Sequence, residues 1–360
     1  MSETTQQSTG ELGTSPGGGP GGTGGATASL WRGASMLLRQ RELTVFVVAV
    51  ALFLYFLFSS GQVNTAFIGQ TNLINLLSTI AAPIIIIALG EVMLLISGEI
   101  DLSVGFIYTL APYIMYFTVQ YYHVPPLLGI ILGLVMGIVV GWLNAFLTVT
   151  LGLPSFITTL GTGFILWGIV DTTSHAEPVP IPPSTMGVGK IFSTEQLVSS
   201  TNWNSIIWAV ALTVIMHLVL TRTRWGLHTV AVGGNLLAAR EAGIHVNRIK
   251  YGNFMLTGLF GALVGIQVAF ANNSIDPTAG QYTPMFYSVA AAVIGGTAML
   301  GGVGTIIGAF FGSFVIALVE DGFNILGFSA NPLPIIYGTA ILVAMIANVQ
   351  LTRLRERGSR

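Results

Sequence analysis

Long apolar segments, separated by short polar or Gly- and Pro-rich connections, follow one another from about residue 43 to about residue 350. Most of them approach the roughly 20 residues that an α-helix needs to cross the hydrocarbon core of a bilayer. Because a chain in lipid must satisfy its own backbone hydrogen bonds, we expect each segment to be helical. The pattern predicts an all-α membrane protein, a polytopic bundle of about ten transmembrane helices. The expected spans are 43–59, 73–97, 103–122, 126–150, 155–172, 204–221, 251–271, 285–301, 304–323 and 332–350.

The segments 285–301 and 304–323 differ from the others because they are short and rich in glycine. We expect them to form either two half-helices or a re-entrant pair. From Gly304 onward, glycines recur every four residues, a spacing that lets transmembrane helices approach closely. No Lys-Ser or Lys-Thr pair follows these glycines, so they predict helix packing and not a phosphate-binding loop.

The composition places most of this chain in lipid, because 52% of its residues are hydrophobic and only 8% are charged. A soluble globular domain carries about 25% charged residues. Residues 1–40 are different: they include a Gly/Pro-rich stretch without an apolar period, which predicts a disordered tail. The net charge of −1 means that the chain has no excess of positive charge for binding nucleic acid. The chain lacks cysteine, and its five histidines show no metal-ligand spacing, so we expect no metal site.

The positive charges predict the orientation of the bundle. Of the 13 Lys and Arg residues, nearly all fall before the first span, in or beside the loop 222–250, or after the last span. Cytoplasmic loops carry an excess of Lys and Arg, and even numbers of expected spans separate the three groups. We therefore expect both termini and the loop 222–250 to be cytoplasmic, and the Pro-rich stretch 177–200 to lie outside. The predicted domains are the cytoplasmic tail 1–40, the transmembrane domain 41–351 and the basic cytoplasmic C-terminus 352–360.

The loop 222–250 contains a pattern that is typical of a short capped helix. Asn235 can cap the N-terminus through its side-chain oxygen, residues 236–241 favour helix, and Gly243 can end it in the left-handed conformation. Two interpretations stay open from the residues alone. The helix either docks into a cleft of a cytoplasmic partner, or it is part of a solvated connector.

The stretch ISGEIDLSVG, residues 96–105, joins the second and third expected spans. It either sits near the cytoplasmic surface or dips into the membrane. Asp101 is expected to cap the following helix, while Glu99 is either an interfacial residue or part of a substrate pathway. Glu91 lies deeper in the second span, and an acid within the hydrocarbon usually faces a bundle interior or water, so Glu91 is also a candidate for the substrate pathway.

Glu320 and Asp321, with Asn324, form another polar group, near the outer end of the ninth expected span. These side chains either face a translocation path, where they accept hydrogen bonds from a polar solute, or form an ordinary hydrated helix end. For the remaining pathway candidates, helix packing is the competing explanation. They are Asn144, Phe156, Thr158, Thr159, Thr162 and Trp167.

Four motifs occur in a consistent order along the chain. They are residues 98–105 (GEIDLSVG), 152–162 (GLPSFITTLGT), 232–246 (VGGNLLAAREAGIHV) and 291–312 (AAVIGGTAMLGGVGTIIGAFFG). Together they resemble the permeases of ribose/xylose-type ABC sugar importers, in the branched-chain amino acid/sugar permease superfamily. The resemblance covers roughly residues 70–350. Two departures concern the substrate, because residues 283–289 and the acids Glu320 and Asp321 stand where the family commonly has other residues.

The resemblance implies a homodimer in the bacterial cytoplasmic (inner) membrane that imports a monosaccharide similar to xylose or ribose. A separate cytoplasmic ATPase, which binds ATP and Mg²⁺, would drive the import, and an extracytoplasmic binding protein would deliver the sugar. The segment that couples to the ATPase would lie in the loop 222–250. Its residues would be Gly234, Asn235, Ala238, Ala239, Arg240, Glu241 and Gly243.

The chain itself contains no GxxxxGK[ST] sequence, so we expect neither ATP binding by a P-loop nor enzymatic activity in it. A proton- or cation-coupled secondary transporter is the alternative, with Glu91, Glu99 and Glu320 as its coupling groups. A passive channel is disfavoured, because no filter sequence such as TVGYG is present.

Overall fold

The computed structural model describes residues 41–59, 62–192 and 203–327, together with five positions between 335 and 346. The predicted tail 1–40, most of the expected span 332–350 and the C-terminus 352–360 lie outside the described residues. The five isolated positions are helical; they are Ile335, Gly338, Thr339, Leu342 and Ile346.

The described part of the chain is almost entirely helical, which confirms the predicted all-α class. Wider π-type turns, Leu76–Ala81 and Phe146–Thr150, join α3 to α4 and extend α6. In chain order the helices and strands are α1 (Arg41–Leu57), α2 (Gln62–Phe67), α3 (Gln70–Asn75), α4 (Ala82–Ile96), α5 (Val104–Gln120), α6 (Pro126–Ala145), α7 (Ser155–Ser174), β1 (Val179–Pro180), α8 (Met186–Gly189), α9 (Trp203–Arg222), α10 (Arg224–Gly234), α11 (Leu236–Glu241), α12 (Val246–Asn272), β2 (Ser274–Ile275), α13 (Tyr282–Ile294) and α14 (Ile306–Ile325).

Six helical stretches among the described residues are long and apolar enough to cross a membrane. They are Gln70–Ile96, Pro126–Thr150, α7, α9, α12 and α14. Three helices at other expected spans are shorter, since α1 and α5 have 17 residues each and α13 has 13. The protein is therefore a multi-pass membrane protein, and the full number of about ten spans stays a prediction.

The two ends of the bundle are chemically different. The basic end carries Arg222, the last residue of α9, and Lys250, near the start of α12. The opposite end carries the antiparallel pair of β1 and β2, and we call it the ribbon end. There the Tyr113 hydroxyl of α5 lies within hydrogen-bond distance of the carbonyl oxygens of Glu177 and Ile275, at 3.2 and 3.3 Å. This contact ties α5 to the ribbon.

Helix α12, 27 residues long, is the centre around which α4, α5 and α6 pack. Glycines allow a close approach: a Cβ atom on Gly137 of α6 would lie 2.4 Å from the Gly258 carbonyl oxygen, and one on Gly265 would lie 1.9 Å from that of Tyr108. Because Pro112 of α5 has no N–H to donate to Tyr108, this carbonyl is free to face α12. Lipid tails are as apolar as the side chains, so such close contacts supply much of the energy that joins membrane helices.

Helices α5 and α13 both begin inside the bundle. Val104, the first residue of α5, packs against Gly261, near the middle of α12, which is roughly 40 Å long. The Gln281 N–H, just before α13, donates to the Gly105 carbonyl oxygen at 3.0 Å. From this mid-bundle level α5 runs toward the ribbon end and α13 toward the basic end. Of the alternatives expected for 285–323, α13 is thus a half-helix, whereas α14 has 20 residues.

Candidate functional site

A re-entrant turn connects α4 to α5. Helix α4 ends at the basic end, and residues 97–103 bring the chain back to the mid-bundle level. Non-helical backbone at membrane depth has to be buried or hydrated, with its polar groups satisfied. Here the Ile100 and Leu102 N–H groups donate to the hydroxyl oxygens of Ser155 and Thr159 of α7, at 3.4 and 2.9 Å. Of the two placements expected for this segment, the structure shows the one that dips into the bundle.

Asp101 stabilises this turn from inside the protein. Its Oδ1 accepts hydrogen bonds from the Ser103 N–H at 2.8 Å and from the Ser103 hydroxyl at 2.6 Å. The Asn144 amide of α6 donates to Ser103 Oγ at 2.8 Å and lies 3.4 Å from both Asp101 oxygens. The N-cap residue of α5 is Ser103, so the expectation that Asp101 caps this helix is corrected: Asp101 holds the turn before it. All three side chains are buried, and Asn144 is a structural partner of the turn.

The two glutamates near the turn have different surroundings. Glu99 forms an ion pair with Lys250 of α12, with 2.5 Å between Oε1 and Nζ, and both side chains are largely buried. Glu91 of α4 is fully buried, and neither of its carboxyl oxygens has a hydrogen-bond partner in the described parts of the chain. Glu99 therefore fastens the turn to α12, while Glu91 is an interior acid that interacts with the carboxyl and backbone groups of Asp101.

The pathway candidates on α7 divide between two faces. The Thr159 hydroxyl, which accepts from the turn, also donates to the Ser155 carbonyl oxygen at 2.8 Å. The Thr162 hydroxyl donates to the Thr158 carbonyl oxygen at 3.0 Å. All three threonines are buried, whereas Phe156 is exposed at the start of the helix. The threonines therefore face protein, and the open face of α7 is apolar.

The acidic pair of α14 lies at another helix contact. The Asn72 side-chain amide of α3 donates to Asp321 Oδ2 at 2.8 Å, and Asp321 is buried. Gly322 leaves room for the ring of Phe56, which a Cβ atom would approach to 2.0 Å. Glu320 is half-buried and Asn324 is exposed. This group therefore fastens α14 to α3, and the structure does not bring it together with Glu99 and Asn144.

The loop between α9 and α12 folds as two short helices. Asn235 ends α10 and caps α11, because its Oδ1 accepts from the Ala238 N–H at 3.0 Å, which confirms the predicted cap. Gly243 follows α11 with φ +80°, the left-handed conformation that the sequence predicts. Ala239 is buried in a small cluster with Val232, Val246 and Ile249, so it cannot contact a partner. The other predicted coupling residues, Gly234, Asn235, Ala238, Arg240, Glu241 and Gly243, are exposed.

Leu237 is the most exposed apolar side chain of α11, and the sequence did not single it out. Its exposed fraction is 67%, and Leu236 beside it is also exposed. Two adjacent exposed leucines on a capped helix offer a small apolar surface that a protein partner can cover. Helical spacing could not find it, because a helix of six residues has no apolar period that separates an inner face from an outer one.

A junction of glycines joins this loop to the bundle. Gly233, at the end of α10, lies so close to α4 that a Cβ atom on it would be 1.6 Å from the Ile96 carbonyl oxygen. The Gly302 N–H donates to the same carbonyl oxygen at 2.8 Å. Gly301 has φ +89° and lies against Gly233 and Gly98. The loop, the re-entrant turn and the loop between α13 and α14 therefore meet backbone to backbone.

Five aromatic side chains meet where α5 and α13 begin, and we call them the mid-bundle aromatic cluster. Phe106 of α5 lies 5.3 Å from Tyr282 of α13 and 6.4 Å from Trp167 of α7, measured between ring centroids. Phe164 lies 6.1 Å from Trp167, and Phe286 lies 6.3 Å from Tyr282. Phe106 is buried, Trp167 and Tyr282 are half-buried, and Phe164 and Phe286 are exposed. Only Trp167 was among the sequence candidates.

Comparisons with known proteins agree with these features. The sequence profile of the family described as branched-chain amino acid transport system / permease component matches residues 72–349. The chain is 34% identical to the xylose/arabinose import permease protein XylH of Sulfolobus acidocaldarius, covering 88% of this chain and 87% of that protein. It is 33% identical to the ribose import permease protein RbsC of Bacillus subtilis, covering 79% and 86%. It is 31% identical to the fructose import permease protein FrcC of Rhizobium meliloti, covering 72% and 73%.

No solved structure matches the chain. The family match extends over most of the sequence and includes the re-entrant turn, the capped helix α11 and the glycine junction. These matches confirm the resemblance to ribose/xylose-type ABC permeases. The chain belongs to the family of branched-chain amino acid transport system permease components.

Proposed function

We propose that this chain is the transmembrane permease subunit of an ABC importer that carries a monosaccharide into the cell. Two copies form the translocation path, a binding protein delivers the sugar, and a separate ATPase binds ATP and Mg²⁺. The basic end faces the cytoplasm, both termini lie there, and the chain spans the membrane about ten times. Relatives that are named as xylose/arabinose, ribose and fructose import permeases support this proposal.

The observation that carries the proposal is the placement of α11. This helix projects Leu237 from the basic end, where an ATPase in the cytoplasm can reach it. Through the glycine junction its base lies directly on α4 and on the loop before α14. Movement of a bound ATPase is therefore passed to helices that run through the bundle, with no flexible linker between them.

Transport in proteoliposomes tests the proposal. Vesicles that contain this chain, its ATPase and its binding protein are expected to accumulate radiolabelled xylose, arabinose, ribose or fructose when ATP is present. This accumulation is expected to survive a protonophore, because ATP and not a proton gradient supplies the energy. The fully buried Glu91 is the observation that favours a proton-coupled transporter. Uptake by the isolated chain, abolished by the protonophore, would establish that alternative.

A Leu237→Asp substitution is expected to remove the ATPase from the purified complex. The side chain is 67% exposed in the permease, so the charge leaves the fold intact, but it would be buried at the contact with the ATPase. Loss of an interface anchor costs about 2 kcal/mol or more, a factor of roughly 30 in the dissociation constant. Co-purification and a binding titration with the ATPase measure this loss.

Leu227→Asp is the matched control, because Leu227 of α10 is also 67% exposed but lies outside α11. It is expected to retain the ATPase. Equal retention by both variants would show that α11 is not the docking helix. Ala239, which the sequence suggested as a contact, is unsuitable for this test because a larger residue there disrupts the buried cluster beneath α11.

A further inference from the structure

We propose that the exposed side of the mid-bundle aromatic cluster, formed by Phe164, Trp167, Tyr282 and Phe286, is the surface on which the sugar rests as it crosses the membrane. This inference depends on the proposed function and names a site within it. The cluster lies at the level where α5 and α13 begin, near the middle of α12. It therefore lies about halfway between the two ends of the bundle.

Polar groups beside the cluster indicate that this face meets water. Residues 276–281 form a non-helical segment that descends from the ribbon end to the mid-bundle level. Thr278 on this segment and Thr283 on the first turn of α13 are exposed. The Thr278 hydroxyl donates to Asp276 Oδ1 at 2.8 Å. Non-helical backbone and exposed polar side chains at membrane depth occur where the chain is buried in protein or lines a water-filled space. The inference requires that this exposed side, which one subunit does not bury, borders an aqueous path in the assembled transporter.

The contacts of the segment hold the cluster in place. The Gln281 N–H donates to the Gly105 carbonyl oxygen, and Gln281 has φ +59°. A Cβ atom on Gly105 would lie 1.8 Å from the Gln281 carbonyl oxygen, so only glycine permits this approach. Gly163 of α7 likewise lets Phe106 approach, since a Cβ atom there would lie 2.7 Å from the ring. Tyr282 is thus fixed against α7, and the rings are positioned before any ligand arrives.

The chemistry of the surface suits a monosaccharide. One face of a pyranose or furanose ring carries C–H groups, which pack against the electron-rich face of an aromatic ring, while the hydroxyl groups keep contact with water or with polar side chains. Phe164 and Phe286 are 48% and 53% exposed, so their rings can accept such a contact. Rings select a sugar by its apolar face without holding it tightly. A permease that releases its cargo with every cycle requires such weak binding.

Thiol labelling tests whether the surface borders water. The chain has no cysteine, so Thr283→Cys and Phe286→Cys each introduce a single thiol. In proteoliposomes with the complete transporter, both are expected to react with a charged methanethiosulfonate in the nucleotide-free or the ATP-trapped state. Val214→Cys on α9 is the control: Val214 is 54% exposed on a helix face that also carries the exposed Ile207 and Leu218. We expect this apolar face to contact lipid, so the thiol there is expected to stay unreactive. If neither the Thr283→Cys nor the Phe286→Cys thiol reacts in either state, lipid or the second subunit covers the surface and the proposal fails.

Uptake measurements test whether the rings act on the sugar. Phe164→Ala combined with Phe286→Ala is expected to lower the rate of ATP-dependent sugar uptake about tenfold, which corresponds to 1.4 kcal/mol in the barrier. Both side chains are exposed, so the fold and co-purification with the ATPase are expected to persist. The control Phe46→Ala removes a 41% exposed ring from α1 and is expected to transport normally.

The outcomes separate this inference from the proposed function. If the unmodified complex shows no ATP-dependent sugar uptake, the proposed function itself fails. If the unmodified complex transports and the double variant transports equally fast, only the aromatic surface is disproved. A tenfold loss in the double variant, with full transport by Phe46→Ala, supports both.

Discussion

Replacing Gly258 with leucine is expected to destabilise the folded protein by about 3 kcal/mol, the upper end of the range for overpacked cores. Gly258 of α12 faces Gly137 of α6, and a Cβ atom on it would lie 2.2 Å from the Gly137 carbonyl oxygen. The obstacle is backbone and not a flexible side chain, so the helices must separate. Their separation also loosens the neighbouring contact of Gly141 with the Phe254 carbonyl oxygen. Thermal unfolding of the purified protein in a mild detergent measures the effect.

Gly168→Leu is the matched control. Gly168 lies in the middle of a transmembrane helix, α7, but nothing lies within 4 Å of a Cβ atom placed on it. Leucine there is expected to leave the unfolding temperature unchanged or to raise it slightly, because glycine is a poor helix former. If Gly258→Leu unfolds at the same temperature as the unmodified protein, close packing of α6 and α12 is not what stabilises the bundle.

Helix positions could be read from the sequence because hydropathy is a local property. The predicted span 155–172 matches α7, Ser155–Ser174, and the span 304–323 matches α14, Ile306–Ile325. The depth at which α5 and α13 start was left open by the sequence, which allowed residues 96–105 to lie at the surface or to dip into the membrane. It depends on Val104 meeting Gly261 and on other contacts between distant parts of the chain, which no hydropathy window contains.

The glycine patterns show the same limit: the sequence indicates where helices can pack closely, but not which helices pack together. The sequence indicated close packing from Gly304 onward, and Gly308 indeed approaches the Gly295 carbonyl oxygen, with a Cβ atom at 2.0 Å. The same four-residue spacing on α6 was not among the predicted packing motifs. Its glycines make contacts of similar closeness, Gly137 and Gly141 with α12 and Gly129 and Gly133 with α5. The spacing of glycines is visible in the sequence, but the helix that packs against them is not.

The candidate site was predictable where a residue acts on its own neighbourhood. Asn235 caps α11 because an Asn side chain reaches an N–H group three residues ahead, and that geometry is visible in the sequence. Asp101 bonds to Asn144, 43 residues away, and Asp321 bonds to Asn72, 249 residues away. Their roles as structural partners could not be foreseen, and neither could the meeting of Phe106, Trp167 and Tyr282. The acids stand out as candidates because charged residues are rare in an apolar chain, whereas aromatic residues are common and therefore do not mark a site.

Gly233→Val is expected to abolish coupled transport while the ATPase stays bound. A Cβ atom on Gly233 would lie 1.6 Å from the Ile96 carbonyl oxygen and 2.6 Å from the Gly302 nitrogen, so any larger residue forces α10 and α11 away from α4. The exposed surface of α11, including Leu237, is unchanged, and the ATPase still has its contact. Its movement, however, no longer reaches the bundle. Sugar uptake in proteoliposomes is expected to fall more than about tenfold, with co-purification of the ATPase retained.

Gly234→Ala provides the control one residue away. Nothing lies within 4 Å of a Cβ atom on Gly234, so alanine there is expected to leave uptake unchanged. The two variants are expected to fail in different ways. Leu237→Asp no longer binds the ATPase, whereas Gly233→Val still binds it but does not transmit the movement of the ATPase to the transmembrane helices. Normal uptake by Gly233→Val would mean that the junction at Ile96 and Gly302 does not transmit the motion. Loss of both uptake and ATPase binding would mean that Gly233 shapes the docking surface and not the transmission.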